Sequence, residues 1–225
     1  EGTGLLTQGD KAQQSDSARL KYGLDGQGIK VGVISDSFYK LGDNLSPDEL
    51  PYDEQTDSYA VQTTYTDPVT QIEYDWDFPL GAASDEGRAM AEIVHDVAPG
   101  ADIAFRTGFV SEADFAQAFY DLYYKGDCDV IVDDLTYITE PFYSDGLVAQ
   151  AINDVTAAGA VCLASAGNYG EDGYEGSYEP VAEGDIGYKF GEGEKFQRLE
   201  LVKGTYTISL QWDSPHYSQP EPGTT

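Results

Sequence analysis

The chain has 225 residues, 40% of them hydrophobic, enough for one large α/β domain or one domain with an appended segment. Acids outnumber bases 41 to 12, a net charge of −29 that argues against nucleic acid and anionic membranes as partners. No apolar run is long enough for membrane insertion.

The acidity suits a salty extracellular setting, calcium held by a few acidic loops, or plain solubility, and composition leaves all three open. The chain begins at Glu1 without a signal-peptide pattern, which fits a processed N-terminus. Cys128 and Cys162 match no zinc spacing. They are expected as two buried thiols, with a single disulfide as the alternative.

Residues 1–22 are polar, with a short helical pattern over 16–22. Residues 23–28 (GLDGQG) are rich in turn formers. Their Gly-x-Gly precedes a strand, whereas a dinucleotide loop needs strand, glycines and helix in that order, so that reading is rejected. Residues 29–34 (IKVGVI) form a near-continuous apolar run ending in Ser35–Asp36–Ser37, as expected of a buried strand in a parallel sheet. Open α/β sheets build their sites at such carboxyl ends. The plainer role for Asp36 is a turn or cap. Residues 40–58 are an acidic loop without EF-hand spacing, more a solvated charge run than an ion site. An alternating strand is expected over 59–65 (YAVQTTY), then irregular aromatic sequence over 67–84.

A helix is expected to begin at Ser84–Asp85, with Asp85 and Glu86 in its first turn at the positive end of the macrodipole, and to stop at Pro99–Gly100. Ala89, Ile93 and Val97 recur at helical spacing, and Met90 and Val94 widen the stripe. His95 lies late in this helix and reads as a packing or surface residue. A strand over 102–107 follows, then a helix over 111–124 with Ser111 as cap and Phe115, Phe119 and Leu122 on one side. Next come a strand over 129–135 (DVIVDDL), a helix over 146–158 closed by Gly159, and a strand over 160–165. This alternation defines βαβ units and a parallel sheet with right-handed crossovers. From residue 169 Gly, Glu and Tyr dominate. Residues 195–212 read as two antiparallel strands around FQRLELV and TYTISLQW, turning at Lys203–Gly204.

Four of these stretches, in this order, resemble the motifs of subtilisin-like serine proteases. GIKVGVISDSF (28–38) resembles the strand that ends in the family's catalytic aspartate. DEGRAM and HDVAPGAD (85–90 and 95–102) resemble its histidine helix, DVIVDDL the strand lining the substrate cleft, and ASAGN (164–168) the segment supplying the oxyanion asparagine. The resemblance covers about 20–170. It implies an α/β class, a subtilisin-like three-layer fold with a parallel sheet, followed by a partial antiparallel β segment. Residues 1–170 are then the N-terminal part of a catalytic domain, and 171–225 an incomplete β-rich insert or appendage. The implied protein is a secreted endopeptidase acting on peptide or protein substrates, with calcium as a bound ion and no cofactor essential to the chemistry. Asp36, Glu86 and Asn168 take catalytic positions, and Asp134 and Leu135 the substrate-binding strand.

The departures from the family pattern are informative. Ungapped comparison puts Ser35, not Asp36, at the aspartate position, and Glu86 where the family has histidine, with Gly87 matching the glycine that follows. A glutamate there is similar to sedolisins, but these carry a second acid four residues later, where this chain has Met90, and an aspartate where it has Asn168. The family's nucleophile, a serine in a Gly-Thr-Ser-Ala-like helix start, is expected C-terminal to these motifs, on a fragment of the same precursor.

A serine nucleophile needs a base, and the base an orienting partner. Glu86 is the candidate base, Asp36 its partner, and Asn168 the oxyanion donor. Close carboxyls resist joint ionisation, and a carboxylate base has an ordinary pKa of about 4.3 against about 6.5 for histidine, so activity is expected at lower pH than in ordinary subtilisins. Asp134 is expected as a third acid or a contact for a basic substrate residue, or equally as a solvated strand end. The missing histidine and serine support a second expectation, a non-catalytic module that keeps the fold for binding or structure in an extracellular assembly. A third expectation is an acidic calcium-binding surface domain.

Overall fold

The computed structural model describes residues 7–42, 49–55, 58–170, 172–177, 179–180, 182, 189 and 196–213. The chain divides into two compact units, one of Glu1–Ala166 with Gln211–Thr225, the other of Gly167–Leu210.

In the first unit, helices α1 (Gln8–Ala12) and α2 (Ser15–Tyr22) precede strand β1 (Lys30–Ser35). Five short strands follow: β2 (Tyr52–Asp53), β3 (Ser58–Tyr59), β4 (Val61–Gln62), β5 (Thr64–Thr66) and β6 (Glu73–Asp75). Then helix and strand alternate through α3 (Glu86–Val97), β7 (Asp102–Thr107), α4 (Glu112–Tyr124), β8 (Val130–Asp133), α5 (Leu147–Ala158) and β9 (Val161–Ala164). The main sheet runs β4-β7-β1-β8-β9, every pair parallel.

Because side chains alternate along a strand, neighbours on β1 serve opposite cores. Val33, Ile103 and Phe105 pack with Ala91 of α3 on one face. Ile34, Ala104 and Ile131 pack with Phe115, Phe119, Leu122, Val148 and Val155 of α4 and α5 on the other. The result is three layers, an α/β fold as expected. Close approach is built in at two glycines. A Cβ on Gly32 would lie 2.9 Å from Leu122, and one on Gly87 would lie 2.3 Å from Phe105 and 2.8 Å from the Ser37 carbonyl oxygen. Arg106 on β7 lies buried toward α4, paired at both ends of its guanidinium with Asp114 (2.8 and 2.9 Å) and through Nε with Asp121 (3.0 Å). Pairing and hydrogen bonding are what make a buried guanidinium tolerable. Both cysteines are free, and burial pushes the Cys128 thiol up to about 12, as expected of an inert core thiol.

The structure corrects four expectations. The alternating stretch 59–65 is divided among three strands, because β3 pairs with β2, β4 joins β7, and β5 pairs with β6. Helix α1 and strand β6 were not foreseen. The stripe on α3 is not Ala89–Ile93–Val97: Ala89 and Ile93 are exposed, and the buried face runs through Gly87 and Ala91, flanked by Met90 and Val94. Small residues win that face because the helix must approach β7 and the β1 exit closely. Finally, the described residues 196–213 contain no strand, and Phe196, Val202, Ile208 and Leu210 are exposed. The other parts of the second unit include Tyr169 and Tyr174, also exposed.

Candidate functional site

The chain leaves β1 toward β4 and β7 but leaves β8 toward β9, so the order of connection reverses between β1 and β8. Carboxyl ends at such a reversal diverge and leave a crevice where α/β proteins place their sites. The residues there are Ser35 and Asp36 at the end of β1, Asp133 and Asp134 at the end of β8, and the first turn of α3.

Asp36 is buried and its carboxylate is full. Oδ1 accepts the N–H of Ser37 (2.6 Å) and of Glu86 (3.0 Å), and Oδ2 accepts both the hydroxyl of Ser84 (2.7 Å) and its backbone N–H. The cap of α3 therefore comes from β1, not from its own flank. Asp85, expected as a first-turn acid, sits at φ +57° before the helix and makes no side-chain cap bond. That left-handed turn, which Asp tolerates, aims its carboxylate at the 37–41 loop instead. There Asp85 accepts the N–H of Lys40 (2.9 Å) and of Leu41 (2.7 Å) and the Ser37 hydroxyl (2.8 Å). Asp77 accepts the N–H of Phe38 (2.8 Å) and of Tyr39 (2.9 Å).

Five consecutive backbone donors, 37 to 41, are thus satisfied by three buried carboxylates. The loop starts buried at Ser37 and Phe38 and must satisfy its donors somewhere, and here acids replace a ladder. Burial raises the Asp77 carboxyl above the ordinary range against the pull of the Tyr39 and Phe38 donors. Burial pushes Asp85 upward too, but Leu41, Ser37, Lys40 and Arg88 together outweigh it and hold that carboxyl below the ordinary range. Asp77 and Asp85 escaped sequence reasoning in this role. Asp77 lies in an irregular stretch with no pattern, and Asp85 carried the stronger signal of a helix start.

Glu86 is exposed at the head of α3, its backbone tied to Asp36. Asp134 is half-buried; burial raises its carboxyl, the Ser35 hydroxyl pulls it down, and the charges of Glu86 and Asp36 raise it. Asp133 is pushed up to about 7 by burial, with the Asp134 charge adding and the Leu135 N–H opposing. The structure therefore gathers Asp36, Glu86 and Asp134 at one place. Leu135 packs against the α4–α5 core. Asn168 belongs to the second unit and is exposed. His95 lies nine residues beyond Glu86, about 14 Å along the helix, where burial lowers it and its Nδ1 has no partner, as expected of a packing histidine.

Among the described residues no group of three or more His, Cys, Asp or Glu is arranged to hold a metal ion. The buried carboxylates Asp36, Asp77 and Asp85 do not fit calcium, because N–H and O–H donors already fill the oxygens a cation needs. Part of the acidic loop 40–58 lies outside the described residues. No described helix is long and apolar enough to cross a membrane. No family model matches the chain, and no curated protein matches it.

Proposed function

We propose that this chain is the N-terminal part of a secreted endopeptidase of subtilisin-like type in which Glu86 is the general base. The observation that carries the reading is the meeting of Glu86, Asp36 and Asp134 at the reversal of a parallel sheet, on strands and a helix that came in the expected order. In this reading a serine hydroxyl, supplied from the C-terminal part of the same precursor, attacks the scissile carbonyl carbon while its proton passes to Glu86. As the tetrahedral intermediate collapses, the C–N bond breaks and Glu86 returns the proton to the leaving amine. Water repeats the sequence to release the acid. No cofactor takes part in these steps.

The filling of Asp36 by four donors favours the second reading, a non-catalytic binding or structural module, because it removes one expected partner of the base. One experiment separates the two. The natural polypeptide containing these residues is treated with a fluorophosphonate probe across pH. The peptidase reading expects labelling that is lost in Glu86→Gln and is faster below neutrality than in histidine-based subtilisins. No labelling of a folded polypeptide, or labelling that Glu86→Gln leaves intact, refutes it.

A further inference from the structure

We propose that two copies of this chain associate by mutual strand addition: residues 205–210 of each copy pair with the open edge of β9 in the other. The inference goes beyond the peptidase reading and stands whether or not Glu86 is a base.

The first ground is the edge. β9 ends the main sheet, and among the described residues no strand pairs with its outer side. The N–H groups of Val161 and Ser165 bond back to β8, so alternation turns the backbone groups of Cys162 and Ala164 outward. Leu163 registers with Val132, which packs on the face that α3 covers further in, so Val161 and Leu163 share that face. They are 53% and 56% exposed, although strands of a parallel sheet are ordinarily buried on both faces. An open apolar edge of this kind is a template for another strand.

The second ground is a strand-forming segment without a sheet. Residues 205–210 (TYTISL) alternate Thr, Thr and Ser with Tyr206, Ile208 and Leu210, the pattern of a half-buried strand. They form no strand, and Ile208 and Leu210 are 69% and 79% exposed. Aromatic and branched residues at this spacing suit a pleated surface that covers one of their sides.

The third ground is charge, and it chooses the partner. Two copies of a chain of net charge −29 repel wherever their acids meet. With 41 acids among 225 residues, the two longest stretches without an acid are 155–170 and 201–212, which contain β9 and TYTISL. Lys203 is the one charged residue in either stretch. The surfaces that offer an open edge and an unpaired strand are therefore those where two such acidic chains can touch. An unrelated partner needs one of them. A second copy uses both, each chain giving its segment and receiving the other's. That closes the pair and doubles a contact that one short strand leaves small.

The test is sedimentation equilibrium of the 225-residue chain at about 0.1 and about 1 M salt, where charges are screened beyond about 10 and about 3 Å. A dimer is expected, tighter at the higher salt because repulsion between the acidic bodies is screened. Leu163→Lys and Ile208→Lys should each raise its dissociation constant by about tenfold or more, since each removes a buried apolar side chain from both contacts. Circular dichroism should stay unchanged, because both side chains are exposed in the single chain. Mixed together, the two variants keep one intact contact, the edge of the Ile208→Lys chain with the segment of the Leu163→Lys chain. The mixture should therefore form more dimer than either variant alone. A chain that stays monomeric at both salts leaves the edge to a different partner and overturns the proposal. A dimer that ignores either substitution, or a mixture no better than its parts, overturns it as well. None of these outcomes involves fluorophosphonate labelling, so the peptidase reading stands or falls separately.

Discussion

Replacing Asp36 by asparagine separates a structural carboxylate from a catalytic one. The amide keeps the shape but offers one oxygen and one NH2 group. With its oxygen toward Ser37 and Glu86, it retains the two bonds of 2.6 and 3.0 Å and turns its NH2 toward Ser84. The Ser84 hydroxyl can rotate to accept from it, but the Ser84 N–H faces a donor and is orphaned. The reverse orientation orphans two backbone donors, so the first is preferred. Losing one hydrogen bond to a charged group costs about 1.5–3 kcal/mol. Removing the negative charge from the start of α3 costs about 0.3–1 kcal/mol more. Together these come to about 2–4 kcal/mol, a large share of the ~5–15 kcal/mol of an ordinary domain. The assay is urea unfolding at pH 7 followed by circular dichroism and by the fluorescence of the buried Trp76. At a slope of about 2 kcal/mol per molar, the midpoint should fall by about 1–2 M. A variant within about 0.5 kcal/mol of the natural chain, as for an exposed substitution, would show that the four-donor network does not hold the loop.

Two further outcomes follow from the same geometry. Asp133 sits at about 7 in the folded chain against 3.8 ordinarily, so the folded state keeps a proton that the unfolded state has released, and stability falls as pH rises from about 4 to about 7. Asp133→Asn should therefore be the more stable form at pH 8, by about 2–4 kcal/mol, with the gap closing near pH 3; thermal melts at both pH values check it, and equal melts at pH 8 contradict it. Gly87→Ala puts a methyl 2.3 Å from Phe105 and should cost about 1–3 kcal/mol by overpacking. Because α3 must then back away from the β1 exit, hydrogen exchange at the Glu86 N–H should quicken, and unchanged exchange would refute the close approach.

Much of the layered fold was legible residue by residue. The apolar run 29–34 became most of β1 (Lys30–Ser35) in the middle of the sheet, where both faces are buried. Ser111 caps α4 through its side chain, and Phe115, Phe119 and Leu122 form its buried face. The stretch 195–212 shows the limit: its alternation reads as strand, but the described residues 196–213 form none, since alternation is a preference for a half-buried surface and not a partner.

The site divided in the same way. Asp36 was legible as a polar residue at the carboxyl end of an apolar strand, a local regularity, whereas Glu86 and Asp134 were named through the resemblance of their stretches to subtilisin-like motifs. Which oxygen meets which proton was beyond reach of any local pattern. Asp36 caps a helix 50 residues away, and Asp85 turns back across 44 and 45 residues to the 37–41 loop. Strand and helix periods are written in neighbouring residues because they arise from backbone geometry. Partnerships between distant carboxylates and amides are set only when the sheet brings the segments within 3 Å, and that step assigned Asp36 to holding the fold.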